Sequence, residues 1–592
     1  MRTVRKQSTW LRLSVAAMAL ALLAAACASD SGAEDADAAL AAAQSARSEA
    51  STAVADAAAA AAAADAALAA AEEAQAAANL AQATATGNAT DVAAAEAALA
   101  DAQAAAEDAR AQAAAAENEA QQARDAAAAA EAQAAAAAAT PTTAAATPTT
   151  VADAGAEAIR LAILSDCEGA FGAFHDRDVA GVVTAFAEHA GATVNDRNDP
   201  QAGFSNASIS GVPIELVGIG CADDTAEAAL RETRRLMEDL GAHIMIGPLS
   251  GDESIAVANY AKDHPNQTFV NGTSGAQDST MRVKAPNFFR FNSDGAQWNA
   301  GLGDIAHNTL GWETAAVIGD DYSFAWTSMG GFIAEFCAAG GDVTSRVFPP
   351  LNTTDYSGFV QQLPDPDEVD GYFWAVGGAG LGPALKAFED AKGEIVGSQH
   401  MGNLFWGNPD TFVEIGPRIA GAYAGGFGNA PDVSTPASDA FRETINRHFD
   451  NIPFGGADTP ADAAYFDGFF LNYYNNAWGL IEGLRAIGAD LSGGHEPLWE
   501  ALSNVVLDSA FGEIRLDANR SAIQDQWTQL LYLDDDGNLA ASTVQKVPAV
   551  DQTFGGTFTG EPPPSRDFPP CEARDIAWIG NAIPVVDGQL QE

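Results

Sequence analysis

Two hydrophobic rhythms divide this chain. From about residue 33 to residue 139, alanine is interrupted by Glu, Asp, Gln and the arginines Arg47, Arg110 and Arg124. Alanine is the best helix former, so this text predicts long helix. Thr86-Gly87-Asn88-Ala89-Thr90-Asp91 breaks it: Gly and Asn suit a helix end, and Thr90 or Asp91 suits the next start. Each half, roughly 50 residues, would reach about 75 Å. Leucine occurs only at Leu40, Leu68, Leu80 and Leu99, too sparse for a coiled-coil seam. The segment reads as a spacer, either a straight stalk or a hairpin. Thr140-Pro141-Thr142-Thr143 and Thr147-Pro148-Thr149-Thr150 then form an extended linker.

From about residue 157 the rhythm changes. Ile159–Leu164 and Ile214–Val217 are short apolar runs that predict buried strands. Asp224 to Leu240 carries Leu230, Leu236 and Met237 at helical spacing, ends at Gly241 and leads into the strand Ile244–Ile246. A helix over Ser254–His264 and a strand over Thr268–Val270 follow. The alternation restarts after residue 290: strand Thr314–Ile318, helix Thr327–Cys337, strands Val343–Phe348 and Tyr372–Val376, helix Pro383–Ala391. Alternating strands and helices imply parallel sheets with right-handed crossovers. The predicted fold class is α/β, with two doubly wound, Rossmann-like lobes preceded by the alanine-rich helix. Residues 550–592 are Pro-rich and predict a tail over the surface.

Composition refines this picture. Arg2, Arg5, Lys6 and Arg12 precede an apolar stretch, Leu13–Ala26, which is too short to span a bilayer stably. Residues 1–26 therefore read as an export signal. Leu23-Ala24-Ala25-Ala26-Cys27 resembles a bacterial lipobox, which makes Cys27 the lipidated first residue of the mature chain. The remaining Cys167, Cys221, Cys337 and Cys571 fit two disulfides in an oxidising compartment, with three possible connectivities. Cys167 and Cys221 both follow strands expected to be neighbours, so they are the first pair. Cys571 would then fasten the tail to the helix holding Cys337. The formal net charge of -51 excludes nucleic-acid binding and adhesion to an anionic membrane surface. No Gly-x-Ser-x-Gly elbow, phosphate-binding loop or His-Glu-x-x-His occurs, and the eight histidines are scattered. An enzyme is not expected, nor a cofactor or metal site.

Loops after strands are where α/β sheets bind ligands. Ser165–Gly172, Gly247–Ser254 and Asn271–Gly275 are such loops, rich in Gly, Ser and Thr that present N–H and hydroxyl donors. Gly377-Gly378-Ala379-Gly380 lets the backbone approach something across a cleft. The series Ile246-Gly247-Pro248-Leu249-Ser250, Phe269-Val270-Asn271-Gly272-Thr273-Ser274, Phe289-Arg290-Phe291, Val317-Ile318-Gly319-Asp320-Asp321-Tyr322 and Thr354-Asp355-Tyr356-Ser357-Gly358-Phe359 resembles the leucine/branched-chain amino-acid-binding family of type I periplasmic binding proteins.

That resemblance covers roughly residues 159–545. It implies a bilobed binding domain over 157–549, with lobe 1 at 157–291 and 428–514 and lobe 2 at 292–427 and 515–549. Three hinge crossovers would fall near Asn292, Gly425–Gly428 and Gly512–Leu516. It also implies an extracytoplasmic solute-binding lipoprotein, held to the membrane by its lipid alone and serving an ABC permease and ATPase. A surface sensor or adhesin without a transporter would use the same lobes. Ser250, Gly251, Gly272, Thr273 and Ser274 match the grip on a ligand carboxylate. Phe324 matches a ligand-facing aromatic, and Asp321, Tyr322 and Trp326 stand beside it. Gly377 stands where a second aromatic often sits, which leaves room along a glycine-lined wall of Gly377 and Gly378. No acid occurs near Leu404, where amino-acid binders place one, so an ammonium group would need Asp321, Asp252 or Glu168. The expected solute is a small polar molecule such as an amino acid, amide or carboxylate.

Overall fold

A computed structural model describes residues 158–408, 411–426, 432–457, 459–461, 467–510 and 512–591. The signal, Cys27, the alanine-rich segment and the Thr/Pro linker lie outside the described residues.

The first lobe opens with β1 (Ile159–Asp166), α1 (His175–Ala190), β2 (Val212–Ala222) and α2 (Ala226–Arg234). It continues with β3 (Ile244–Ile246), α3 (Gly251–Lys262), β4 (Thr268–Val270) and β5 (Phe288–Phe289). The parallel sheet runs β2-β1-β3-β4-β5, with an antiparallel edge strand, Ala207–Ile209, on β2. Strand alternation makes it doubly wound. Leu161 and Ile163 of β1 enter the core under α1, and Ala162 and Leu164 enter the core under α2 and α3. Thr225 starts α2 by accepting the N–H of Ala228 at 3.2 Å.

The second lobe holds β6 (Thr314–Gly319), α4 (Ser323–Ala339), β7 (Asp342–Val347), β8 (Gly371–Ala375), α5 (Leu381–Lys392), β9 (His400–Gly402) and β10 (Tyr423–Gly425). Its parallel strands run β7-β6-β8-β9-β10. The chain then returns to the first core through α6 (Pro436–His448), α7 (Gly468–Ala486) and α8 (Glu496–Leu502), which bury Phe441, Phe470 and Leu498 there.

The last crossing is later than the expected Gly512–Leu516. Those residues instead form a hairpin, β11 (Val506–Ser509) with β12 (Gly512–Leu516), whose Leu507 and Ile514 belong to the first core. The transfer is made by β13 (Ala522–Leu533). It pairs with β12 at Ala522 and Ile523, then with β10 at Thr528–Leu530. Polar side chains line this passage: Gln526 donates to Ser293 Oγ at 2.6 Å and Gln297 to the Ala522 carbonyl at 3.0 Å. β14 (Leu539–Val550) and β15 (Ile583–Val586) complete the antiparallel flank.

Helix α4 is buried around nearly its whole length, Ser328 and Glu335 included, which requires a cover. The tail supplies it. Phe554, Phe558 and Ile576 pack with Ala334 of α4 and with Met281 of the first lobe. Cys571 is bonded to Cys337, with Cα atoms 5.3 Å apart. Among the described residues, no helix is long and apolar enough to cross a membrane.

Candidate functional site

The parallel strands of both lobes end in loops that meet across one cleft. The Cys167–Cys221 disulfide, with Cα atoms 5.2 Å apart, anchors the loop after β1 to β2. Asp224 holds the same loop by accepting the N–H of Ala170 at 2.5 Å. The next residue, Phe171, is thereby pointed at the second lobe. The cavity between the lobes is lined from the first lobe by Phe171, Leu249, Ser250, Gly251, Thr273 and Phe469. The other wall is Trp298, Tyr322, Phe324, Leu404 and Phe405. The empty space measures about 270 Å³, but the rings divide it so finely that only about 20 Å³ admits the centre of a water molecule.

Aromatic contacts give the cavity its shape. Phe171 stacks on Phe405 across the cleft at 5.7 Å between centroids, and Phe405 meets Phe324 edge-on at 6.4 Å. Trp298 lies 6.0 Å from Phe324 and Phe469 lies 5.9 Å from Phe405. Offset and edge-on pairs of this kind are favourable beyond the area they bury. Closure is also polar: Asp252 accepts the backbone N–H of Ser323 at 3.3 Å.

Five of the expected positions come together here: Ser250, Gly251, Thr273, Tyr322 and Phe324. Others do not face the cavity. Gly272 lies under the Tyr473 ring, and the Ser274 hydroxyl is 2.6 Å from that of Ser254. Asp321 is a correction. Its carboxylate is bound by Arg566 of the tail, with Nε at 2.7 Å, and accepts Trp326 Nε1 at 3.1 Å. Asp321 and Trp326 therefore engage each other and the tail rather than the cleft. Glu168 is exposed. The room expected at Gly377 is taken by the Phe405 ring, which a Cβ there would overlap. Gly378 packs on the first lobe. Sequence reasoning missed Phe171, Leu249, Trp298, Phe405 and Phe469. An apolar ring placed just past a strand end, as at Phe171 and Phe405, was the available signal.

Carboxyl groups stand directly behind the rings. Asp166 ends β1, Asp224 lies just past β2, and Glu253 accepts the Ser250 N–H at 3.4 Å. On the second lobe, Asp320 accepts the Gly377 N–H at 3.0 Å. Burial, then mutual repulsion with Glu253 and Asp224, holds the Asp166 carboxyl well above its ordinary range. Burial pushes Glu253 and Asp320 up to about 8, and Asp224 to about 6. No described residue lining the cavity is basic. Among the described residues, no group of His, Cys, Asp and Glu is arranged to hold a metal ion.

A family model described as periplasmic binding protein matches residues 158–537. Among curated protein sequences, none matches. Among solved structures, an ABC transporter substrate-binding protein from Sphaerobacter thermophilus is similar at 22% identity and a TM-score of 0.55, over 67% of this chain and 99% of that one. A solute-binding protein of Rhodopseudomonas palustris HaA2, in complex with p-hydroxybenzoic acid, is similar at 18% identity and a TM-score of 0.55, over 67% and 98%. A leucine-binding protein from Thermotoga maritima MSB8 is similar at 17% identity and a TM-score of 0.51, over 65% and 97%. The lobes, the crossings between them and the family match agree: this chain belongs to the type I, leucine-binding-like periplasmic binding proteins, the non-enzymatic substrate-binding components of ABC transporters.

Proposed function

We propose that the protein captures a small organic solute with a flat or compact apolar body and presents it to an importer's permease and ATPase. The ring-lined cavity between the lobes carries this reading, because stacked and edge-on rings select shape and apolar surface. The R. palustris HaA2 relative holds p-hydroxybenzoic acid, which is in keeping with a ring-shaped solute. A standard α-amino acid is disfavoured, since Leu404 stands where amino-acid binders place an acid and no described residue lining the cavity is basic enough to pair with its carboxylate. In this reading Cys27 carries the lipid that keeps the protein at the extracytoplasmic face, and the alanine-rich segment lifts the lobes away from the membrane.

A roughly 150 Å³ cavity takes up a benzene, far more than the water-accessible space here, so the lobes must part to admit a solute. A thermal-shift panel of single-ring compounds, amides, amino acids and sugars tests the proposal, since binding to the native state raises stability. A rise in Tm with ring compounds supports it. Stabilisation by sugars alone refutes it.

A further inference from the structure

The charge of the solute is also written in the cleft. Resting on the reading of the interlobe cavity as the solute site, we propose that the solute is an organic cation, an ammonium-type group carried on an apolar body.

Rings and carboxyl groups surround the cavity in successive layers. Phe171, Phe324 and Phe405 line it, Phe171 stacked on Phe405 at 5.7 Å and Phe405 edge-on to Phe324, and the face of such a ring is its electronegative side. One residue behind the lining come Asp224, Glu253 and Asp320, through their hydrogen bonds from Ala170, Ser250 and Gly377. Asp252 lies beside Phe324 through its bond from Ser323. The hydroxyl of Tyr322, a residue that lines the cavity, is held up by burial and then by Asp320, Asp224, Asp252 and Asp166.

The titratable groups that face the cluster are Asp223, Asp252, Tyr322, Tyr356 and Tyr473. None of them is basic. Arg177, over Phe454 at 6.0 Å, is paired with Asp467 at 3.7 Å. An anion placed among the rings would find no basic side chain among the described residues that line the cavity. A neutral solute would leave the carboxyls to share protons. A cation supplies the missing counter-charge and is held by the rings as well.

Binding then has a proton signature. A cation favours the ionised carboxyls, so it expels protons that the buried acids hold, and its affinity rises with pH across the range of Asp224, Glu253 and Asp320.

Calorimetry with three probes of matched size tests this: benzylammonium, benzyl alcohol and benzoate, at pH 6 and pH 8.5 and in two buffers of different ionisation enthalpy. Benzylammonium is expected to bind about tenfold or more tighter than the others, with proton release and higher affinity at pH 8.5. Asp320→Asn and Asp224→Asn, checked for unchanged cooperative unfolding, should weaken benzylammonium and spare benzyl alcohol. Equal or tighter binding of benzyl alcohol or benzoate overturns the charge assignment and leaves the ring-solute reading standing. Binding of none of the three overturns both.

Discussion

Gly378 of the second lobe packs so closely on Ala170 of the first that a Cβ at Gly378 would overlap the Ala170 carbonyl oxygen. Its φ of 53° also lies in the left-handed region that favours glycine. Contact between the lobes thus depends on a missing side chain. Gly378→Ala, whose added Cβ already overlaps Ala170, should wedge the cleft, lowering solute affinity about tenfold or more (~1.4 kcal/mol) while Tm falls by the cost of a Cβ at positive φ, about 1 kcal/mol. Titration calorimetry and X-ray scattering measure the two effects. Unchanged affinity would show that this contact is not part of the bound state.

The tail is expected to contribute to stability through its covalent link. Cys337 and Cys571 are separated by 234 residues, and their bond fixes the cover over α4. Replacing both by serine should reduce stability by about 2–4 kcal/mol and make residues after 550 sensitive to protease. Urea unfolding and timed proteolysis read this out; an unaltered midpoint would argue that apolar packing alone holds the tail.

Stability should fall as pH rises. Burial pushes Glu253, Asp320 and Glu335 to about 8, so each holds its proton more tightly folded than unfolded. The stabilisation is complete below the unfolded value of about 4.3 and is lost as pH climbs to about 8. Tm at pH 8.5 is expected to lie about 5 °C or more below Tm at pH 5. Glu335→Gln, which lies away from the cleft under Trp578, should flatten that slope. A Tm that rises with pH over this interval contradicts the assignment.

The lobes should work without the N-terminal quarter of the chain. The described core begins at Ile159, and every residue lining the cavity follows it. A chain starting at Ala156 is expected to bind its solute within about twofold of the full-length affinity by calorimetry, well under 1 kcal/mol. Loss of binding by a folded chain of this length would show that the alanine-rich segment does more than act as a spacer.

Much of this was visible in the sequence, and the gaps have physical causes. The strands over Ile244–Ile246 and Thr268–Val270 were readable because buried parallel strands are short, fully apolar runs between turns. Ser250, Thr273 and Phe324 were found because strand-end loops build the site. Phe469 was not, since it comes from the start of a helix about two hundred residues after the loop it faces. Asp321 was misread for the same reason: its partner, Arg566, lies 245 residues on, and no local period records such a meeting. The hairpin over Val506–Leu516 displaced the third crossing because a tight antiparallel turn there keeps both strands on the first core.

The strand β13 joins the hairpin on the first core to the sheet of the second lobe, and between those two sets of partners, over Gln524 to Trp527, it keeps its ladder with β14. A ribbon clamped at both ends behaves as a leaf spring: it bends readily but resists shear, because sliding would break ladder hydrogen bonds on both sides at once. The glutamine amides around it can trade partners with water as the ribbon flexes, so the soft direction carries little penalty. Such a strand favours bending of one lobe against the other over sliding, so capture of a solute would be felt outside the cleft as a change of angle.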